Sequence, residues 1–153
     1  MISVRKISLH ELTLLTKIFN YNNVDSMVEE NTKLISCGIG DIFCIFNDDI
    51  PFGVIYVKYI SDNPLFCVKG LRAYLYAFTI NKEYRGKGYG KLLLESVLHQ
   101  LETEGYREFT IAAGVENHRA IYIYSSFGFN KVLLSRTESL NGKEYSYALY
   151  LKS

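Results

Sequence analysis

Proline is scarce in this chain, with only Pro51 and Pro64, and no stretch rich in proline, glycine or serine divides it. A linker is thereby excluded. The 153 residues match the size of one domain, so residues 1–153 are expected to fold as a single unit. Cysteines number three, Cys37, Cys44 and Cys67, with no Cys-x-x-Cys spacing. That pattern excludes a disulfide framework or a zinc site and predicts buried thiols. No apolar run approaches the roughly 18 residues of a membrane span. The opening Met1-Ile2-Ser3-Val4-Arg5-Lys6 lacks the charged-then-apolar order of a secretion signal, so a reduced, cytoplasmic setting is expected. An excess of one charge is also missing. Seventeen basic against sixteen acidic side chains leave +1, too balanced for a protein that coats nucleic acid or an anionic membrane. Any anion site must therefore be local.

What remains is an ordinary globular composition, 48% apolar and 22% charged. Residues 2–7 alternate as a strand. Ser8-x-x-Glu11 then makes a capping box ahead of Leu12, Leu15, Ile18 and Phe19, which share a helical face. Asp25 is positioned to cap a second helix, which Gly38 and Gly40 end. Residues 42–46 and 52–60, joined by Asn47-Asp48-Asp49, read as a hairpin with Gly53 at a bulge. Residues 70–80 suit a central strand, and Leu93, Leu94, Val97, Leu98 and Leu101 mark an amphipathic helix that stops near Gly105. A strand over 109–115 follows, then a short helix from Asn117 to Phe127. Strands over 131–134 and 145–151 close the chain across the Asn141-Gly142 turn. The order is β-α-α-β-β-β-α-β-α-β-β, which places the chain in the mixed α/β class, with some parallel pairing forced by its strand-helix-strand units.

Between a predicted strand and a predicted helix stands Arg85-Gly86-Lys87-Gly88-Tyr89-Gly90-Lys91. Backbone N–H groups and the positive end of the helix dipole converge at such a turn, and glycines let an anion approach the main chain. Lys82, Arg85, Lys87 and Lys91 against Glu83 leave this stretch at +3, in a chain of +1. An ATP-binding Walker loop is excluded, because Arg85 stands where its first glycine belongs and Leu92 where its metal-binding hydroxyl belongs. A dinucleotide fingerprint begun at Gly86 or Gly88 meets Lys91 or Leu93 in place of its third glycine.

The remaining pattern, Arg-x-x-Gly-x-Gly, resembles that of the GNAT superfamily of acyl-CoA-dependent N-acetyltransferases. The stretch Asn117-His118-Arg119-Ala120-Ile121-Tyr122-Ile123-Tyr124-Ser125-Ser126-Phe127-Gly128-Phe129 strengthens the likeness, matching the family pattern Asn-x-x-Ala-x-x-x-Tyr-x-x-x-Gly-Phe at each fixed position. The motif-level resemblance runs from Leu75 to Phe129; the first seventy residues carry no motif. It implies a single-domain GNAT-like fold, a mostly antiparallel mixed sheet with helices on both faces. It implies acetyl-CoA as cofactor and a primary amine, small-molecule or peptide, as acceptor. Arg85, Gly86, Lys87, Gly88, Tyr89, Gly90 and Lys91 inherit the coenzyme pyrophosphate, mostly through backbone groups. Phe78 and Ile80 inherit contacts with the acetyl carbonyl and pantetheine arm, and Asn117 a contact with that arm. Tyr124 inherits proton donation to the leaving thiolate. The implied chemistry is direct amine attack through a tetrahedral intermediate, without a metal.

Read from the residues alone, Asn117 is equally a helix cap and Tyr124 a packing residue. Tyr122, two positions from Tyr124, cannot share its helix face and receives no role. No general base transfers from the family, since Tyr74 and Ala112 occupy the positions where some relatives carry glutamate. Glu83, Glu116 and His118 read as solvated residues near the motifs, and His10 and His99 as lone surface histidines. The acceptor should enter opposite the coenzyme, near residues 20–23 and 135–143. A binding module that retains the coenzyme site without catalysis is the alternative. Thirteen tyrosines could supply an interface, and members of the family often dimerise, so a homodimer belongs among the expectations.

Overall fold

The computed structural model describes residues 1–153. Strand β1 (Ile2–Lys6) leads into a 3₁₀ helix (Leu9–Lys17) and α1 (Val24–Ser36). Then come β2 (Gly40–Asn47), β3 (Ile50–Lys58) and β4 (Arg72–Ile80), a 3₁₀ turn (Lys82–Tyr84) and α2 (Tyr89–Thr103). Strand β5 (Glu108–Gly114), α3 (His118–Ser126), β6 (Lys131–Leu140) and β7 (Lys143–Lys152) complete the chain. All seven strands join one sheet in the order β1-β2-β3-β4-β5-β7-β6. Only β4 and β5 are parallel, and α2 supplies the crossover that parallel neighbours require. The expected element order and mixed class are those of the structure.

Alternation along each strand sends side chains to two cores. Phe43, Ile45, Ile55, Val57, Leu75 and Ile111 face α2 and α3, meeting Leu93, Leu94, Val97 and Leu98. Ile42, Cys44, Phe46 and Val54 face the other way, against Leu12, Leu15 and Met27. No helix is long and apolar enough to cross a membrane.

Three local expectations are corrected. The first helix is 3₁₀ rather than α. Leu9, Leu12, Leu15 and Ile18 recur every three residues, which matches three residues per turn and stacks Leu12 and Leu15 fully into the core. Its start is held as the capping box predicted: the Glu11 carboxylate accepts the Ser8 N–H at 3.0 Å, and the Arg5 guanidinium at 2.9 and 2.8 Å. Helix α1 is capped by Asn23, whose side chain accepts the Ser26 N–H at 3.0 Å. Asp25 instead lies inside the first turn, where its charge still complements the dipole. Cys44 and Cys67 are buried thiols, but Cys37 is exposed at the end of α1.

Two irregularities position the site. In β3 the register slips opposite Ile45 and Phe46, leaving Phe52 extra next to Gly53, the expected bulge. A Cβ on Gly53 would lie 2.6 Å from Ile80 Cδ1 and 2.7 Å from Ile45 Cγ2, so only glycine lets Ile80 seat there. In β4, Val54 pairs with Thr79 but Tyr56 with Tyr76, so β4 takes three steps for two. Ala77 takes up the extra residue in the left-handed region, at φ 52°. One added residue reverses every side chain beyond it. Tyr74 and Tyr76 therefore point to the α1 face, while Phe78 and Ile80 point toward α2, beside Gly90. The pairing of β4 with β5 stops at Leu75 and Ile111, beyond which β4 keeps to β3 and β5 to β7. The sheet opens there.

Candidate functional site

Below that opening, on the α2 and α3 side, lies a cleft of about 650 Å³. Ten of the eleven residues expected at the site line it: Phe78, Ile80, Arg85, Gly86, Gly88, Tyr89, Gly90, Lys91, Asn117 and Tyr124. Lys87, which is exposed, does not. Its backbone stays in the turn. Arg119, Thr79, Tyr84, Ala120 and Ile123 also line the cleft and were missed. Ala120 is a fixed residue of the family pattern, whereas the other four fall outside its fixed positions.

The turn itself has the chemistry that an anion requires. Gly86 at φ 75° and Gly88 at φ 87° adopt left-handed backbone that a Cβ would strain. Because of that path, the N–H groups of residues 86 to 91 donate to no protein acceptor, and the first intrahelical bond is Leu92 N–H to Gly88 O at 3.1 Å. Six free donors thus gather at the turn and the positive end of α2, and five of their residues line the cleft. Arg85, Lys91 and Arg119 line it with no carboxylate among them. The turn is braced from behind. Arg85 Nε donates to Ile80 O at 2.7 Å, tying it to β4, and Tyr84 stacks on Phe52 at 3.9 Å with Tyr89 edge-on at 5.1 Å. Phe78, Ile80, Ala120 and Ile123 give the rest of the cleft an apolar wall. A ligand with phosphates at one end and a less polar arm fits this arrangement.

Asn117 does cap α3, its Oδ1 accepting the Ala120 N–H at 3.2 Å, which leaves the amide NH₂ available to the cleft. Tyr124 is 8% exposed, Tyr122 72%, so the helix separates the two as their spacing requires. The Tyr124 ring lies between Phe78, 6.4 Å away, and Phe129, 6.2 Å away. Burial pushes its hydroxyl up to about 12. That hydroxyl makes no hydrogen bond within the protein and lines the cleft. It is thus protonated at neutral pH and free to donate a hydrogen bond. The Ile80 N–H is a second donor: since Asn81 N–H bonds Phe52 O in β3 at 2.7 Å, alternation turns the Ile80 N–H the other way, toward the opening.

On the opposite face a second cavity, about 440 Å³, runs along α1 and is lined by Tyr21, Asn23, Glu30, Asn31, Tyr56 and Tyr76, among others. It includes part of the 20–23 segment expected near the acceptor. Glu83, Glu116 and His118 are exposed and line neither cavity, as are the surface histidines His10 and His99.

The curated [ribosomal protein bS18]-alanine N-acetyltransferase of Salmonella typhimurium is 31% identical over 64 residues, 42% of this chain and 43% of that protein. N-alpha-acetyltransferase 30 of Schizosaccharomyces pombe is 32% identical over 81 residues, 52% of this chain and 54% of that protein. The matched stretch thus spans about half the length of these relatives. The ribosomal-protein-alanine N-acetyltransferase of Brucella melitensis shares the fold at a TM-score of 0.79 and 13% identity, over 98% of both chains. A family model covers residues 10–129, most of the chain, and by that match the chain belongs to the acetyltransferase (GNAT) family.

Proposed function

We propose that this protein transfers the acetyl group of acetyl-CoA to a primary amine. The observation that carries the reading is a run of six N–H groups, 86 to 91, without protein acceptors at a turn that lines the same cleft as the unpartnered Tyr124, beneath the opening of the sheet. The N-acetyltransferase relatives support it. The turn and its three cations hold the pyrophosphate, while Phe78, Ile80 and Ile123 wall the arm. When bound, the coenzyme supplies a thioester carbonyl as electrophile. The Ile80 N–H faces the opening, where it can donate to a carbonyl oxygen as negative charge develops. Tyr124 remains protonated at neutral pH and gives its proton to the departing sulfur. Asn117 steadies α3, and with it Tyr124, through its cap.

The reading takes the cytoplasm as its setting, supported by three free cysteines, which persist in a reducing compartment. The test is thermal unfolding with acetyl-CoA, using ATP and NAD as controls. At about 100 times its dissociation constant a ligand adds about 2.7 kcal/mol, or roughly 5 to 10 °C in Tm for a domain of this size. Stabilisation by acetyl-CoA alone, followed by amine-dependent thiol release, is expected. A shift with ATP or NAD and none with acetyl-CoA overturns the reading.

A further inference from the structure

The face opposite the coenzyme cleft carries a charge that the proposed chemistry does not use. Tyr56 pairs directly with Tyr76, and Lys58 with Tyr74, so these four side chains share the α1 face of the sheet. Their rings form a floor: Tyr56 to Tyr76 and Tyr76 to Tyr74 are each 5.3 Å apart, and Phe66 meets Tyr74 at 5.0 Å. Tyr76 is the first β4 residue past the last β4–β5 pair, so the floor begins at the opening itself. Lys58 is half-buried, and its ammonium lies 5.7 Å from the Tyr76 ring centroid. It forms no ion pair and no hydrogen bond, whereas Lys6, another half-buried lysine, is held by Asp41 and Glu104. The cavity that Tyr56 and Tyr76 line has one carboxylate, Glu30, exposed on α1.

We propose that Lys58 is a specificity-determining residue, and that the acceptor is an amine bearing a carboxylate close to its reacting nitrogen, in the manner of a free amino acid. This rests on the acetyltransferase reading. An amine reaching the opening across this floor comes within range of the Lys58 ammonium, and an acceptor that arrives as a bare cation meets a like charge over the same ring. A carboxylate on the acceptor converts that repulsion into an ion pair in a partly desolvated groove, with the tyrosine floor packing against the rest of the molecule. Neither a peptide N-terminus nor a simple alkylamine has an α-carboxylate to make that pair.

Three acceptors separate the possibilities: phenylalanine, phenylalaninamide and 2-phenylethylamine, assayed by thiol release at saturating acetyl-CoA. Phenylalanine should exceed both others in kcat/KM by tenfold or more. Lys58→Met should raise KM for phenylalanine tenfold with little change in kcat and leave KM for the other two unchanged or lowered, since the like charge they meet is gone, while Lys58→Arg keeps the preference. Should none of the three turn over, saturable binding of 3-phenylpropionate in the presence of coenzyme A, lost in Lys58→Met, carries the same test. An equal or greater rate with the amide or the decarboxylated amine, or a preference that survives Lys58→Met, overturns the assignment, as does 3-phenylpropionate binding that is absent or indifferent to Lys58. Acetyl-CoA stabilisation is measured on each variant, so that its absence condemns the acetyltransferase reading and its presence isolates a failure to Lys58.

Discussion

Replacing Tyr124 by phenylalanine removes one oxygen atom, and the structure states what that oxygen does and does not do. It holds up no neighbour, since the hydroxyl has no hydrogen-bond partner in the protein. The ring keeps its place between Phe78 and Phe129 on packing alone. Stability should therefore change by less than about 0.5 kcal/mol, or roughly 1 to 2 °C in Tm. Chemistry should change far more. With its hydroxyl pushed up to about 12 by burial, Tyr124 is ionised in only about one molecule in 10⁵ at pH 7, so it stands ready as an acid. Loss of a positioned proton donor lowers rate by about 10²-fold or more, roughly 2.7 kcal/mol of transition-state stabilisation. The assay pairs kcat from thiol release with the acetyl-CoA-induced Tm shift. The expected result is a hundredfold lower kcat with an unchanged shift. Because the protonated form is the active one, Tyr124 should produce no alkaline decline in kcat until the pH approaches 12. A variant that keeps kcat within about threefold of the parent refutes the role of proton donor.

Gly88→Ala forces an L side chain to φ 87°, a cost of about 1 kcal/mol, or roughly 3 °C in Tm. Its Cβ meets no protein atom within 4 Å, so any further effect falls on the ligand: acetyl-CoA affinity, read by titration, should drop about tenfold, or 1.4 kcal/mol. Glu11 is held down to about 2 from its ordinary 4.5, first by the Arg5 guanidinium and then by the Ser8 N–H. The lowered value means that its stabilisation is whole above pH 4.5 and disappears as pH falls from there toward 2. Glu11→Gln should therefore lower Tm at pH 6 and flatten the decline of Tm between pH 4.5 and 2.5, as melting curves across that range would record.

The glycine turn was legible in the sequence because its chemistry is local. Three glycines, flanking cations and a following amphipathic run specify a left-handed path into a helix whatever the rest of the chain does. The Asn117 cap and the separation of Tyr122 from Tyr124 were readable for the same reason, since one helix fixes both. Where two local signals compete, the surrounding chain decides between them. Asp25 and Asn23 are both good caps, and which one serves depends on where the chain leaves the 3₁₀ helix. Leu9, Leu12, Leu15 and Ile18 fit a three-residue period, and packing of Leu12 and Leu15 under the sheet goes with the tighter helix. Cys37 was misjudged because its exposure depends on how the α1 terminus meets the sheet edge, which composition does not encode.

Strand order, strand direction and the facing of side chains at the opening are of another kind. The sequence determined by itself that the chain is of the mixed α/β class with a glycine-rich turn ahead of its main helix, because propensity, periodicity and glycine placement act over a few neighbouring residues. Only the tertiary structure decided that Ala77 is an extra residue, because a bulge exists only against a partner strand. That single shift puts Phe78 and Ile80 in the cleft beside α2 and leaves Tyr74, Tyr76 and Lys58 on the far side. Which face each side chain takes is a property of pairing, and pairing joins residues that the sequence keeps 16 to 27 positions apart.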